Sequence, residues 1–287
     1  MAASIFGMIA ETSIHVGIGR SDGAIDLPVA REGGTGFPFA PGSGVKGALR
    51  DHAHFNGMPA AEISRVFGHA ADSTSAGNAG QALIGDMRLL LFPVRALTGV
   101  YRWLTCPLLL ERLVRDLSRA GRAAPQLPQL GPWRGDDDLH PVYTSGSGAL
   151  YLEERVFSIA AAAPPPVIEL VEMIVPDATA QQRVAEQLAI VSDEDFGWFA
   201  QGALPVTARN VLSTENTGSN EVAAKQSTNL WYEECLPPDT VMTLMIADRA
   251  NSSNAASKIE QLFQSSPYLQ IGGNETIGQG WMQLASI

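Results

Sequence analysis

The sequence predicts an α+β protein, because segments typical of strands alternate along the chain with segments typical of helices. Residues 4–18 are rich in Ile, Val and Thr and partly alternate between apolar and polar, which predicts a strand. Residues 107–120 carry an amphipathic helical pattern with Pro107 in the first turn. Long stretches rich in Gly, Pro and charge separate such segments, so we expect large insertions between the elements.

The rest of the chain follows the same two patterns. Helices are predicted over 45–56, 60–67, 177–191 and 256–266, and strands over 82–97 and 149–160. Loop insertions are expected at about 69–81 and 121–148, and a stiff proline connector at 161–167. Extended runs on either side of a polar tip predict a protruding hairpin over about 205–230. We expect one domain over residues 1–287.

The chain is acidic overall, with a formal net charge of −11 at pH 7. A protein that coats nucleic acid is more often basic, so this charge argues against a general phosphate-binding surface. Residues 1–50 nevertheless balance their charges, and Arg31, Lys46 and Arg50 lie close together in the sequence. A negative net charge is therefore compatible with a local basic groove.

The cysteine content and the N-terminal sequence indicate the cellular compartment in which the protein is expected. Cys106 and Cys235 are too few for a disulfide framework or a zinc site, which favours a reducing environment. Glu11 and His15 interrupt the apolar run at the N-terminus, and no early basic region precedes it, so we expect no signal peptide. No stretch approaches the roughly 18 apolar residues of a membrane span. We expect a cytoplasmic protein with no membrane partner.

The segment FPFAPGSGVKGALR (37–50) places Gly42, Gly44 and Gly47 in the spacing G-x-G-x-x-G before a predicted helix. An NAD or FAD site needs a buried strand directly before the first glycine and a carboxylate at the end of the next strand. Here two prolines precede Gly42, and the region about twenty residues on is helical, so we predict no nucleotide cofactor. Lys46 also lacks the neighbours that a Walker motif requires.

Two interpretations of this glycine-rich segment stay open on the spacing alone. Glycines let backbone N–H groups approach a phosphate, and a helix N-terminus attracts an anion. Ser43 adds a hydroxyl donor, and Lys46 and Arg50 share a helix face at i, i+4. The alternative is a glycine-rich turn before an ordinary exposed helix.

Several segments together suggest a family. GAIDLPVARE (23–32) is followed by PGSGVKGALR (41–50), and IGGNETIGQGW (271–281) lies near the C-terminus. Between them come LYLEERVF, SDEDFGWF, VTARNVL and NLWYEECLPPDTV. This order resembles the RAMP superfamily of CRISPR-associated proteins, and in particular the backbone subunit of type III-B (Cmr) effector complexes. The resemblance implies a ferredoxin-like, RNA-recognition-motif-like palm with large insertions and a β-hairpin thumb.

The resemblance also implies a function and partners. The expected protein binds guide (CRISPR) RNA and cleaves complementary target RNA at periodic positions, as an endoribonuclease within an assembled complex. Its partners would be the two RNAs, further copies of itself stacked head to tail, and other subunits. One alternative is the same scaffold acting only as an RNA-binding structural subunit, and another is a self-contained nuclease that processes guide precursors.

Asp26 is the predicted catalytic residue, because the resemblance places it at the family's ID-x-P aspartate, which is linked to target cleavage. Its carboxylate would accept the 2′-OH proton of the target ribose or hold a divalent cation, Mg or Mn, against the phosphate. His15 is a second catalytic candidate, as donor to the departing 5′-oxygen. Without the resemblance, an Asp before Leu-Pro is typical of a turn.

The RNA contacts implied by the resemblance are backbone contacts and therefore indifferent to guide sequence. Two glycine-rich loops, one near each end of the chain, would form one cradle, with basic side chains around it. The predicted RNA-binding residues are Arg20, Gly42, Ser43, Gly44, Lys46, Gly47, Arg50, Arg209, Lys225, Gly272, Gly273, Gly278 and Gly280.

Other residues keep two interpretations. Arg31 stabilises phosphate charge or pairs with a nearby carboxylate. Glu233 and Glu234 reach the Asp26 site or are solvated, and Trp231–Tyr232 are expected to lie in the core. The acidic run Asp136–Asp138 attracts Mg²⁺ or is merely solvated.

Overall fold

The computed structural model describes residues 2–69, 76–133, 139–214, 225–250 and 253–287. Its strands are β1 (Ala3–Ala10), β2 (Phe39–Ala40), β3 (Gly68–His69), β4 (Asn78–Ala79), β5 (Ala82–Ile84), β6 (Met87–Arg95), β7 (Tyr101–Thr105), β8 (His140–Thr144), β9 (Ala149–Leu152), β10 (Arg155–Ala161), β11 (Leu188–Ile190), β12 (Val206–Thr214), β13 (Lys225–Glu234), β14 (Val241–Asp248), β15 (Tyr268–Gln270) and β16 (Trp281–Ser286). Its α-helices are α1 (Gly42–Phe55), α2 (Ala60–Phe67), α3 (Pro107–Arg119), α4 (Pro165–Ile174), α5 (Ala178–Gln187), α6 (Asp193–Gly202) and α7 (Ala255–Leu262).

The centre of the fold is a four-stranded antiparallel sheet in the order β16-β1-β14-β6. Along the chain β1 is followed by α1 and α2, then by β6, and β14 is followed by α7 and then by β16. With β1, β6, β14 and β16 counted as strands one to four, this is a βαββαβ unit in the order 4-1-3-2, the ferredoxin-like arrangement. The predicted α+β palm is therefore confirmed.

Further strands widen this palm into one large sheet covered on both faces. β7, β11, β8, β10 and β9 continue it beyond β6, and β15 forms the opposite edge beside β16. Helices α1, α2, α6 and α7 pack on one face, while α3, α4 and α5 pack on the other. β1 shows why both layers form: Phe6 and Met8 lie in the first core, and Ile5 and Ile9 in the second.

The chain between β6 and β14 also carries a two-stranded antiparallel hairpin, β12–β13, which we call the thumb. Its second strand runs to Glu234, beyond the predicted end at 230, and residues 215–224 lie outside the described part. Val206, Leu212 and Leu230 are each about half exposed on it. The division into a single domain with insertions at about 69–81 and 121–148 stays a prediction.

Several predicted elements are wrong in their extent. The first strand ends at Ala10 rather than 18. Residues 149–160 form the hairpin β9–β10, which turns at Glu153 with a φ of 48°. The supposed connector 161–167 contains the start of α4, because proline fits the first turn of a helix. α6 was not predicted, although its Ser192 side chain caps it by accepting from the Asp195 N–H at 3.0 Å.

Cys106 and Cys235 are both free and buried. Within the described ranges, no helix is long and apolar enough to cross a membrane.

Candidate nucleic-acid interface

A cavity of about 660 Å³ opens where both ends of the chain meet α1. Its walls come from the segment that follows β1, from the first turns of α1 and from the loop between β15 and β16. We call it the cradle. The lining residues of the cradle that matter below are His15, Leu27, Ser43, Gly44, Gly47, Ala48, Asp51, Gln270, Gly272, Gly273 and Glu275.

The C-terminal loop is bound directly to the segment after β1. The Gly273 N–H donates to the His15 carbonyl oxygen at 2.9 Å, and the Gly280 N–H donates to that of Ser13 at 2.9 Å. Gly272 has a φ of +85°, and a Cβ there would lie 2.3 Å from the His15 carbonyl oxygen, so only glycine fits. The prediction that the two glycine-rich segments meet is confirmed for Gly272 and Gly273, whereas Gly278 and Gly280 do not line the cradle.

α1 begins at Gly42 rather than at residue 45, so the glycines lie within the helix. Gly44 and Gly47 are exposed and line the cradle, and a Cβ on either would meet no atom within 4 Å. We call these two residues the glycine crest. Glycine in a helix costs stability relative to alanine, and nothing inside the described chain requires it at these positions. The crest therefore leaves open space above this face of α1.

The backbone amides at the start of α1 are largely engaged within the chain. The Gly42 N–H donates to Asp86 Oδ1 at 2.7 Å, and the Gly44 and Val45 N–H groups donate to the Pro41 carbonyl oxygen at 2.9 and 3.1 Å. The expectation that the amides of Gly42 and Gly44 would bind phosphate is therefore not supported. The crest therefore offers open space rather than free amide donors.

Lys46 and Arg50 do not line the cradle. They lie on the other flank of α1, where they line a separate depression of about 540 Å³ together with His69 and Arg249. We call this depression the basic groove. Among the described residues that line it there is no carboxylate. The prediction that Lys46 and Arg50 flank an anion beside Ser43 stays a prediction for Lys46, which shares a further depression with Gly42 and Ser43, whereas Arg50 lines the basic groove.

Asp26 lies at the base of the thumb, next to the cradle residue Leu27. Its Oδ2 accepts from the Tyr232 N–H at 2.8 Å, and its backbone oxygen accepts from the Ser21 N–H at 2.8 Å. Within the described part of the chain, its Oδ1 accepts no hydrogen bond. One carboxylate oxygen is thus fixed while the other stays open.

The His15 ring is held by Glu234, at the end of β13. Its Nδ1 lies 2.8 Å from the Glu234 carbonyl oxygen. Because a carbonyl only accepts, Nδ1 carries the hydrogen, and Nε2 keeps its lone pair when the ring is neutral. The ring lines the cradle and packs against Gly17, where a Cβ would lie 2.4 Å from Nε2.

Glu233, the residue before Glu234, is buried and contacts two other segments of the chain, an arrangement that the sequence did not predict. Its Oε1 accepts from Asn274 Nδ2 at 2.5 Å and faces Arg209 at 3.4 Å. Arg209, predicted to contact RNA, is therefore directed to a buried carboxylate. Only the fold brings these residues together, since Asn274 follows Glu233 by 41 positions and Arg209 lies on the other thumb strand.

Glu234 is equally buried. Its Oε2 accepts from the Val29 N–H at 3.0 Å, and its Oε1 accepts from Arg31 at 2.6 Å. Arg31 also donates to the carbonyl oxygens of Gly36 and Ala200. Arg31 thus binds the Asp26 loop to the thumb base rather than facing phosphate, and the interpretation of Glu233 and Glu234 as solvated residues is wrong.

One group in the described ranges has metal-ligand types close together: His15, Glu233 and Cys235 each place a ligand atom within 4.8 Å of the others. Burial and the Glu233 charge raise the pKa of the Cys235 thiol to about 12. The thiol is therefore protonated at neutral pH, and a metal ion would have to displace its proton to bind there. Asp26 is not part of this group.

The remaining predicted residues do not line the cradle or lie outside the part of the chain that the structure describes. Arg20 is exposed in the loop that leads to Asp26. Lys225 begins β13, but its side chain lies outside the described residues, as do Asp136–Asp138. Tyr232 is 44% exposed, which corrects the expectation that it lies in the core.

Comparisons with known proteins identify the family and the fold. The family model described as the RAMP superfamily matches residues 8–283. The chain is 31% identical to the CRISPR system Cmr endoribonuclease Cmr4 of Pyrococcus furiosus, over 99% of this chain and 95% of that protein. The crystal structure of oligomeric Cmr4 from Pyrococcus furiosus superposes with a TM-score of 0.73 at 27% identity, covering 100% of this chain and 98% of that one. A cryo-EM structure of the type III-B Cmr-β complex bound to cognate target RNA contains a chain of the same fold, with a TM-score of 0.72 at 20% identity and coverage of 100% and 97%.

Proposed function

The chain belongs to the RAMP superfamily, and we propose that it is the backbone subunit of a type III-B effector complex, binding guide RNA and cleaving complementary target RNA. Full-length similarity to a protein named Cmr4 endoribonuclease supports this function. The single structural observation that carries the proposal is the cradle, in which the glycine crest faces Gly272 and Gly273 across an open cavity.

The crest and the basic groove define a path for one strand. A ribose–phosphate backbone lying over Gly44 and Gly47 has His15 and the C-terminal loop on one side. On the other side it meets Lys46, Arg50 and Arg249, which supply positive charge in a chain that is acidic overall. Such contacts bind phosphate and ribose, so guides of any sequence would be accepted.

Copies of this chain would stack head to tail along the guide. Contact between different surfaces of successive copies builds an open helical array rather than a closed ring. Each copy would then present its thumb and its Asp26 at a fixed interval along the target. The two free, buried cysteines are compatible with the reducing cytoplasm in which we place this assembly.

We assign target cleavage to Asp26. Its carboxylate takes the proton of a ribose 2′-OH, and the 2′-oxygen forms a bond to the adjacent phosphorus. The bond from phosphorus to the 5′-oxygen of the next nucleotide breaks, and that oxygen leaves with a proton. Oδ2 is fixed by the Tyr232 N–H, so Oδ1 is the oxygen that faces the substrate. His15, in its protonated form, is the candidate donor through Nε2.

Metal dependence is part of the proposal and rests on Asp26 alone. Mg²⁺ and Mn²⁺ favour oxygen ligands, and Mg²⁺ is commonly held by one or two carboxylates together with substrate phosphates. Asp26 Oδ1 fits that requirement, whereas the group of His15, Glu233 and Cys235 offers one imidazole and one sulfur beside a single carboxylate, a set that suits softer metals. With a divalent ion on Oδ1, Asp26 would serve as the ion's ligand instead of taking the 2′-OH proton, and the ion would neutralise charge on the phosphate.

The test is Asp26→Asn in the complex assembled with guide RNA, with Asp22→Asn as the matched control, because Asp22 is an exposed acid of the same loop. Asparagine keeps an acceptor for the Tyr232 N–H but cannot take a proton. We expect cleavage of complementary RNA to fall by roughly a hundredfold or more with guide binding unchanged, and the control to cut normally. Cutting by Asp26→Asn at the same positions and rate would instead favour a purely structural subunit, and full activity in excess EDTA would refute the metal requirement.

A further inference from the structure

The base of the thumb carries three side chains of metal-ligand type: His15, Glu233 and Cys235 each place a ligand atom within 4.8 Å of the others. The pairing of two segments brings them together. Ile14 pairs antiparallel with Leu236, which places His15 opposite Cys235. Side chains of directly paired residues share a face, and so do those of residues two apart on one strand, so Glu233 lies on this face too.

The His15 ring is arranged as a metal ligand usually is. Its Nδ1 donates to the Glu234 carbonyl oxygen at 2.8 Å, so the neutral ring has its lone pair on Nε2. A backbone carbonyl that accepts from the second ring nitrogen is a common outer partner of a histidine bound to a metal. A Cβ on Gly17 would lie 2.4 Å from Nε2, so glycine at this position leaves that nitrogen uncovered. Nε2 is therefore the coordinating atom that His15 offers.

Glu233 has one oxygen bound within the chain and one free. Its Oε1 accepts from Asn274 Nδ2 at 2.5 Å and faces Arg209 at 3.4 Å. Among the described residues, none donates a hydrogen bond to its Oε2. A ligating carboxylate is commonly oriented in this way by an outer hydrogen bond. Oε2 is therefore the oxygen that Glu233 offers to an ion.

The Cys235 sulfur decides which metal suits the group. Imidazole and sulfur ligands suit Zn²⁺, whereas Mg²⁺ and Mn²⁺ favour sites built from oxygen alone. Three protein ligands with a fourth position left open are typical of a zinc site that also binds water or another ligand. On binding, the S–H bond of Cys235 breaks, the proton leaves to solvent, and the sulfur electron pair binds the ion.

We propose that His15, Glu233 and Cys235 form a Zn²⁺ site at the base of the thumb, and that the bound ion inhibits target cleavage. The inhibition rests on the proposed function, in which His15 donates a proton through Nε2, because an ion on that nitrogen removes the donor. The site itself rests on the three side chains alone. Its ion differs from the Mg²⁺ or Mn²⁺ assigned to Asp26, and the two have opposite effects on cleavage.

The site is tested on the metal-free full chain with Co²⁺, a spectroscopic substitute for Zn²⁺. We expect one equivalent of Co²⁺ to give a thiolate-to-metal charge-transfer band and the strong visible bands of a tetrahedral ion, both removed by Zn²⁺. Cys235→Ala should lose the charge-transfer band. Cys106→Ala is the matched control and should keep it, because Cys106 is also free and buried but lies outside this group.

A second variant, His15→Ala, removes a ligand that is only partly buried. Its affinity for Zn²⁺ should fall by at least about tenfold, since loss of an outer partner alone costs about 10–100-fold. A Co²⁺ spectrum without the charge-transfer band, or one that Cys235→Ala retains, excludes the site. Unchanged Zn²⁺ affinity in His15→Ala also excludes it.

Cleavage by the complex assembled with guide RNA then tests the inhibition. With Mg²⁺ in excess, one equivalent of Zn²⁺ per chain should slow cleavage about a hundredfold, the contribution of one general acid. The same addition should slow the Cys106→Ala complex equally and should leave the rate of the Cys235→Ala complex as it was before Zn²⁺. Inhibition that persists in Cys235→Ala places the inhibitory ion elsewhere and overturns the proposal.

The two measurements separate this inference from the proposed function. If Co²⁺ binds as expected but the complex does not cut complementary RNA even without Zn²⁺, the metal site stands and the proposed function fails. If the complex cuts and the chain shows no thiolate band with Co²⁺, the proposed function stands and the metal site fails.

Discussion

Replacing Gly47 with alanine should strengthen the fold and weaken RNA binding. Gly47 lies in the second turn of α1, and a Cβ there would meet no atom within 4 Å. Glycine within a helix is less favourable than alanine by about 0.5–1 kcal/mol, mainly because its unfolded chain has more freedom to lose. The free energy of unfolding should rise by about that amount, and the melting temperature by about 2 °C.

The same methyl group occupies the space through which the strand would pass. We expect Gly47→Ala to lower affinity for single-stranded RNA at least about tenfold, a loss of about 1.4 kcal/mol. Thermal unfolding without RNA and a binding titration at fixed salt measure the two effects. Gly202→Ala is the control, because Gly202 ends α6 with no atom within 4 Å of a Cβ and does not line the cradle. A variant that gains stability and binds RNA as well as the unaltered chain would show that the crest is not on the strand's path.

Three further predictions follow from the same contacts. Arg50→Gln and Arg249→Gln should each weaken RNA binding equally for all sequences and flatten the salt dependence by about 0.7 in log–log slope, measured by titration at several salt concentrations. Glu234→Gln should lower the free energy of unfolding in urea by about 3 kcal/mol, because Arg31 loses its carboxylate partner; an unchanged midpoint would refute the structural role given to that pair. Burial raises the pKa of Cys235 from 9.0 to about 12 and that of Tyr101 from 10.0 to about 12, so the folded state favours the protonated form of each group. The contribution of these groups to the free energy of unfolding is complete below pH 9 and should be lost as the pH rises toward 12. The double variant Cys235→Ala with Tyr101→Phe should show a smaller loss of stability over that range, measured by urea unfolding at several pH values.

Much of the fold could be predicted from local sequence patterns, because interactions between residues close in the sequence decide the conformation of several helices and strands. α3 matches its prediction to within one residue, since its leucines recur at helical spacing and Pro107 fixes its start. α4 was missed because a run of prolines is equally typical of an extended connector, and only packing against β1 selects the helix. The break within residues 149–160 was missed because Glu153 adopts a positive φ that its sequence does not announce.

The candidate site was predictable in its parts but not in its arrangement. The glycine spacing indicated a close approach, and the structure places Gly44 and Gly47 on an open face. The same spacing could not show that the Gly42 N–H donates to Asp86, or that Arg50 lines a groove with His69 and Arg249. Both depend on contacts between residues distant in sequence, for which a single chain carries no periodic signal.

The end of β13 joins the parts of the site mechanically. The Tyr232 N–H fixes the Asp26 carboxylate, Glu233 binds Asn274 of the C-terminal loop, and the Glu234 carbonyl oxygen fixes the His15 ring. Three successive residues of one thumb strand therefore set the positions of the candidate catalytic acid, the cradle loop and the cradle histidine. Two of these contacts use backbone groups of the strand and the third uses the Glu233 side chain between them, so we expect a displacement of this part of the strand to move all three together. A target strand that displaces the thumb would reposition Asp26 and His15 together, which couples target binding to the geometry of cleavage.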